Sequence, residues 1–148
     1  MHLLITLHAE LPRGKTVGSY IQRFEVDGAR HPAIFIKVPR RYRPEILLEL
    51  PDNTELAMDL GDGSINATGL AGNKTIRIAR GELILDGTAA LQYRKIRAGF
   101  GSGSVIDDRD HTNTGIHNAF SWKEDGAGKY MLTASFGSGR LRFLSAAP

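Results

Sequence analysis

The densest set of side chains able to do chemistry is Asp107-Asp108-Arg109-Asp110-His111. Three carboxylates this close together suit a hard cation such as calcium. The stretch departs from an EF-hand loop, because Asn113 stands where the turn glycine belongs and no glutamate closes it. It also lacks the glycine–aspartate nonapeptides of calcium-binding β-rolls. The plainer expectation is a solvated loop with an internal Asp–Arg pair and no metal. His111 and His117 fit neither the i,i+2 spacing of a strand nor the i,i+4 spacing of a helix that would bring two imidazoles to one face. Asp110, His2 and His8 are the conceivable further ligands.

Two other groups could bind without catalysing. Arg40, Arg41, Tyr42 and Arg43 form a basic run after Lys37, bounded by Pro39 and Pro44. Guanidinium groups beside an aromatic face can hold phosphate or an anionic polysaccharide. The same run can simply keep a strand edge from pairing. Trp122, beside Lys123-Glu124-Asp125, could stack on a sugar, or pack with Tyr130, Phe136 and Phe143 in a core or end cap.

Signals for catalysis are thin. There is no cysteine, which removes thiolate nucleophiles, disulfides, thiolate zinc sites and redox dithiols together. No Gly-x-Ser-x-Gly elbow, Gly-x-Gly-x-x-Gly fingerprint or P-loop occurs, and GAGK at 126–129 lacks the spacing and the Ser/Thr of the last. Asp59 with Asp62, or Asp107 with Asp108, could serve as the paired carboxylates of a glycosidase or lyase, but acidic pairs arise by chance in most chains this size. The expectation is therefore no enzyme activity and no cofactor. Nucleic-acid motifs are absent too.

The elements that must position these residues are short strands. The chain of 148 residues is 41% hydrophobic and 24% charged, with a net charge of +3, which is the profile of an ordinary folded domain. No apolar run approaches the 18 residues of a membrane span. Apolar alternation marks strands at 3–7, 33–38, 56–60, 64–67, 75–78, 82–85, 95–98, 104–106, 116–120, 130–134 and 140–144. The stretch 44–50 fits a short helix or a strand. Glycine is enriched, at 17 residues, and it falls between strands.

Four segments share one pattern of alternation, glycine corner and alternation: LAMDLGDGSINA, IRIARGELILD, IRAGFGSGSVID and LTASFGSGRLRF. The corner glycines are Gly61 and Gly63, Gly81, Gly101 and Gly103, and Gly137 and Gly139. A chain turning sharply between strands needs residues that accept positive φ or close approach, which glycine does without a Cβ. The second glycines are 18, 22 and 36 residues apart. The first two gaps have the length of a solenoid coil, and the doubled third suggests one degenerate coil over 107–129. The pattern predicts an all-β chain, a right-handed parallel β-solenoid with about 18–22 residues per repeat. A β-sandwich or jelly roll of glycine-turn hairpins is the alternative. One domain, 1–148, is expected, with a non-repeating cap over 1–32 and repeats over 33–144. The inward set reads as Leu56, Met58, Ile65, Ile76, Ile78, Leu83, Leu85, Ile96, Val105, Leu132, Ala134, Leu141 and Phe143.

In LGDGSI, RGELIL, FGSGSVI and FGSGRLRF the chain resembles a bacterial adhesin family of unknown function, built of short β-strand repeats with Gly-x-Gly corners. The resemblance covers about 33–144. It implies a parallel solenoid and an exported, envelope-associated protein, and it supplies no catalytic residues. The acidic residue that often follows the corner is replaced here by Ser64, Ser104 and Arg140, and MHLLITLHAE reads as a strand rather than a signal peptide, so localisation stays open. The expected function is a non-catalytic adhesion or assembly module. The alternatives are a lectin-like jelly roll that binds glycans and a carbohydrate-active β-helix enzyme. The expected partners are an anionic surface or glycan, and other copies through solenoid ends near 140–144, with no specific nucleic acid and no transmembrane segment.

Overall fold

A computed structural model describes residues 4–8, 13–14, 21–26, 32–36, 45–49, 54–69, 71–116 and 118–145. The chain divides into two compact units, Met1–Pro51 and Asp52–Pro148. In the first unit, β1 (Leu4–His8) pairs antiparallel with β4 (Glu45–Glu49), and β2 (Ile21–Val26) pairs antiparallel with β3 (Pro32–Ile36). The stretch whose pattern fitted either element is therefore a strand.

The second unit is predominantly β. It contains β5 (Leu56–Ala67), β6 (Lys74–Leu85), β7 (Tyr93–Asp107), β8 (Thr112–Ile116), β9 (Phe120–Asp125) and β10 (Tyr130–Phe143), with one helical turn, α1 (Gly87–Ala90), after β6. These form one mixed sheet in the order β5-β6-β10-β7-β8, with β9 also on β7. The four strands that carry corners are parallel neighbours, and Gly63, Gly81, Gly139 and Gly103 share one register row.

The corners lie inside continuous strands instead of separating them. On β6 the buried residues run Ile76, Ile78, then Leu83 and Leu85, a step of five across the corner. An odd step on a straight strand would send the second pair to the opposite face. With the corner, both arms face the same core, as do Leu132, Ala134, Phe136, Leu141 and Phe143 on β10. The expected inward set is buried on β6, β7 and β10, whereas Leu56, Met58 and Ile65 on β5 are half-buried. At the bend Phe136, Phe100 and Phe120 stack with ring centroids 4.6 Å apart at each step. That is the spacing between strands.

Two expectations fail on long-range pairing. The stretch 107–129 is not a degenerate coil. It returns antiparallel along one edge of β7, β8 on the second arm (Gly103↔Ile116 to Asp107↔Thr112) and β9 on the first (Lys95↔Asp125 to Phe100↔Phe120). Over 116–120, where one strand was expected, β8 ends and β9 begins. The corners also do not stack in chain order. The chain passes from β9 to the far edge of β7, so that β10 lies between β6 and β7 and 140–144 is not a free end. The crossing loop passes close over the start of β7. Gly126 N donates to Arg94 O at 3.0 Å and Lys129 N to Gln92 O at 3.0 Å. A Cβ on Gly128 would collide with the Gln92 backbone.

Candidate functional site

The acidic stretch sits at the C-terminal end of β7, and its carboxylates are all engaged. Arg109 donates to both oxygens of Asp107, from Nε at 2.8 Å to Oδ1 and from Nη2 to Oδ2, and reaches both oxygens of Glu124 on β9, at 3.1 and 2.6 Å. Its guanidinium lies 4.2 Å from the centroid of the Phe143 ring. Asp108 takes Arg142 at 2.8 Å, and Asp110 accepts from the backbone and hydroxyl of Thr112. The Arg109 hydrogen bonds hold the Asp107 carboxyl below the usual carboxylate range, outweighing its burial. The Arg109 guanidinium is driven up by the same contacts. This is an ion-pair knot closing the hairpin onto the core. No group of three acidic or histidine ligands converges among the described residues.

Trp122 also belongs to this end. It is half-buried, with its ring centroid 5.2 Å from that of Phe143, so its packing is that of a cap. Arg40, Arg41, Tyr42 and Arg43 lie outside the described residues.

The corner glycines divide by strand. A Cβ on Gly81, Gly139 or Gly103 would run into the carbonyl oxygen of Gly63, Gly81 or Gly139 respectively, and Gly81 and Gly103 also hold φ of +151° and +149°. Gly101 and Gly137 face the carbonyls of Gly137 and Ala79. On β5, Gly63 has φ +139° with only the Leu60 Cδ2 near, and Gly61 has nothing within 4 Å.

At the opposite end of the strands lies a groove of about 470 Å³ lined by Asn73, Lys74, Thr75, Arg94, Lys129, Tyr130, Met131 and Thr133. A β-bulge makes it: Tyr130 pairs with Tyr93 and Met131 with Lys95, leaving Arg94 as the extra residue turned outward. Arg94 contacts the Met131 sulfur at 3.8 Å, and the Lys129 ammonium lies 5.5 Å from the centre of the Tyr130 ring. Asn73 is fixed between the Met131 amide, which donates to its Oδ1, and Glu55, which accepts from its Nδ2. Lys74 is buried, 3% exposed, and donates to the carbonyls of Thr54 and Ala71. Burial lowers its pKa against the opposing pull of Glu55. Among the described residues of this unit, Arg77, Arg80, Arg97, Arg109, Arg140 and Arg142 each pair with a carboxylate. Arg94 is the arginine that does not.

Sequence reasoning passed over Arg94 and Lys129, whose significance depends on which strands adjoin them. For Lys74 a signal existed: it opens the inward alternation Lys74, Ile76, Ile78, where an apolar residue belongs. Compared with protein-family models, curated proteins and solved structures, the chain gives no match. Among the described residues no helix is long and apolar enough to cross a membrane.

Proposed function

We propose that the protein is a non-catalytic adhesion module of the cell envelope that binds an anionic glycan in the groove formed by Arg94, Lys129, Thr75 and Thr133. The observation that carries the glycan reading is the unmatched charge of Arg94 and Lys129 in a unit whose other arginines are all paired. A guanidinium with no internal partner can present its fork to a carboxylate or sulfate. The exposed threonine hydroxyls and the Tyr130 ring supply hydrogen bonds and a flat floor suited to a sugar. The envelope setting rests on the resemblance of the glycine corners to bacterial adhesins.

Four parallel cornered strands with their glycines in register support reading this unit as partial coils of a right-handed β-solenoid. The antiparallel strands β8 and β9 favour the second reading, a sandwich-type glycan-binding domain. Both readings leave the groove in place.

Calorimetric titration with a carboxylated or sulfated polysaccharide at low ionic strength tests the binding. Affinity should fall as salt rises, because exposed charges are screened, and should drop about tenfold or more in Arg94→Ser/Lys129→Ser. Absence of binding at low salt, or equal affinity of that variant, overturns the reading. Cleavage of the polysaccharide by the wild type, lost in Asp107→Asn/Asp108→Asn, replaces it with the enzyme reading.

A further inference from the structure

The apolar columns of the sheet do not end at buried residues. One inward row runs Met58–Ile76–Ala134–Ala98–Trp122 and another Leu60–Ile78–Phe136–Phe100–Phe120. The middle members are buried, but Met58 and Leu60 at one edge and Trp122 and Phe120 at the other are half-buried. Each row therefore stops at both edges on an apolar side chain with no further strand beside it among the described residues.

The corner stack stops in the same way. Each interior glycine has a carbonyl from the next strand toward β5 where its Cβ would be. On β5 itself no carbonyl of a described residue lies there. The φ of Gly63 accounts for its being glycine, but Gly61 has no positive φ and, among the described residues, no neighbour within 4 Å. A carbonyl arriving from beyond β5 would occupy that position as the Gly137 and Ala79 carbonyls occupy those of Gly101 and Gly137.

We propose that copies of this chain add head to tail through β5 of one copy and the β8–β9 edge of the next. Translation along the rows keeps all cornered strands pointing one way and sets β5 antiparallel to β8 and β9, a pairing both edges accept. β8 and β9 meet near the corner, so their combined edge follows the same bend as β5. The translation places Met58 on Trp122 of the next copy and Leu60 on its Phe120. It also brings Asp59 diagonally near Lys123, because the exposed row Ala57–Thr75–Thr133–Arg97–Lys123 continues into Ala57 of the following copy. An interface between two different edges, repeated without a closing rotation, propagates as a filament. The proposal is independent of glycan binding.

The absence of native cysteine makes the test direct. Ala57→Cys and Lys123→Cys place exposed thiols at opposite ends of one row, about 19 Å apart within a chain across four strand spacings, too far for an internal disulfide. Between head-to-tail copies they become neighbours. Under mild oxidation a mixture of the two single variants should form 57–123 disulfide dimers about tenfold faster than either variant alone, since adjacent thiols react at a high effective concentration. Adding Gly61→Val to the Ala57→Cys chain should leave thermal unfolding unchanged and abolish the cross-link. Equal cross-linking of Ala57→Cys alone points to two-fold β5–β5 pairing and overturns the proposal. So does a wild type that sediments as a monomer at every concentration with no cross-linking, which would leave β5 covered by residues 1–51 of its own chain or bare. Unchanged cross-linking in the Gly61→Val background overturns it as well.

Discussion

The two ends of β7 make opposite uses of charge. At the C-terminal end, Asp107, Arg109 and Glu124 satisfy one another beneath the Phe143 ring, and Arg142 takes Asp108. At the N-terminal end, Arg94 and Lys129 face a groove with no carboxylate of the described residues bonded to either. The first arrangement locks a hairpin to the core, and any ligand would have to break it. In the second, the bulge points a cation outward where nothing in the unit consumes it. In a chain rich in both signs, the informative charges are those left over after internal pairing, and density of charge is a poor guide to them.

The corner joins the two ends, so breaking it should have the largest effect. Gly103→Val meets both the strain of φ +149° and the Gly139 carbonyl, and should destabilise by about 4 kcal/mol in a urea melt. An unchanged midpoint would mean that the two arms are not held by the corner.

Arg109→Ala should cost about 3 kcal/mol, because it leaves Asp107 buried and unpaired, whereas Arg94→Ala should shift stability by less than about 0.5 kcal/mol. Similar losses from both would erase the contrast between the ends. The pair also predicts an acid limb. Asp107 is held below its unfolded pKa, so its contribution is present above the unfolded carboxylate range and is lost as pH falls through the folded value. In Arg109→Ala that limb should flatten.

The groove end carries an alkaline counterpart. Tyr93, 3% exposed, has its phenol pushed up to about 12 by burial. Unfolded tyrosine ionises near 10. Stability from the neutral phenol is thus complete below about pH 10 and lost as pH rises toward about 12, in all about 3 kcal/mol. Tyr93→Phe should remove that part of the pH dependence in melts across the window, and an identical profile in the variant would show that the phenol is not buried. The smallest effect expected on stability is that of Lys129→Ala, within about 0.5 kcal/mol, although the same change should weaken polysaccharide binding in the salt-dependent titration.

Local features were legible in the sequence to the extent that they depend on local rules. Alternation marked Ile76, Ile78, Leu83, Leu85, Leu132 and Leu141 as inward, and the glycine spacing brought Gly63, Gly81, Gly103 and Gly139 to one row. The order within that row was not legible. A gap of 36 residues is equally long whether it holds a weak coil or an antiparallel return, and only pairing between distant strands distinguishes them. The same limit hid the candidate site. Nothing in the neighbours of Arg94 shows that β7 will bulge there against β10, and nothing near Lys129 shows that its loop will cross Gln92. An Asp–Arg pair within 107–111 was expected from adjacency, but the second partner of Arg109, Glu124, is 15 residues away.

The place of β10 in the sheet also governs the order in which the unit can assemble during synthesis. It is the last strand of this sheet to leave the ribosome and the central one in the finished sheet, bonded to β6 on one side and β7 on the other. Until it arrives, β5 with β6 and β7 with β8 and β9 are two separate ribbons with no shared ladder. A nascent chain halted before Tyr130 therefore displays the apolar faces of both ribbons at once, and is a natural substrate for chaperones and quality-control proteases. Completion of the core is a single late event that joins the two halves.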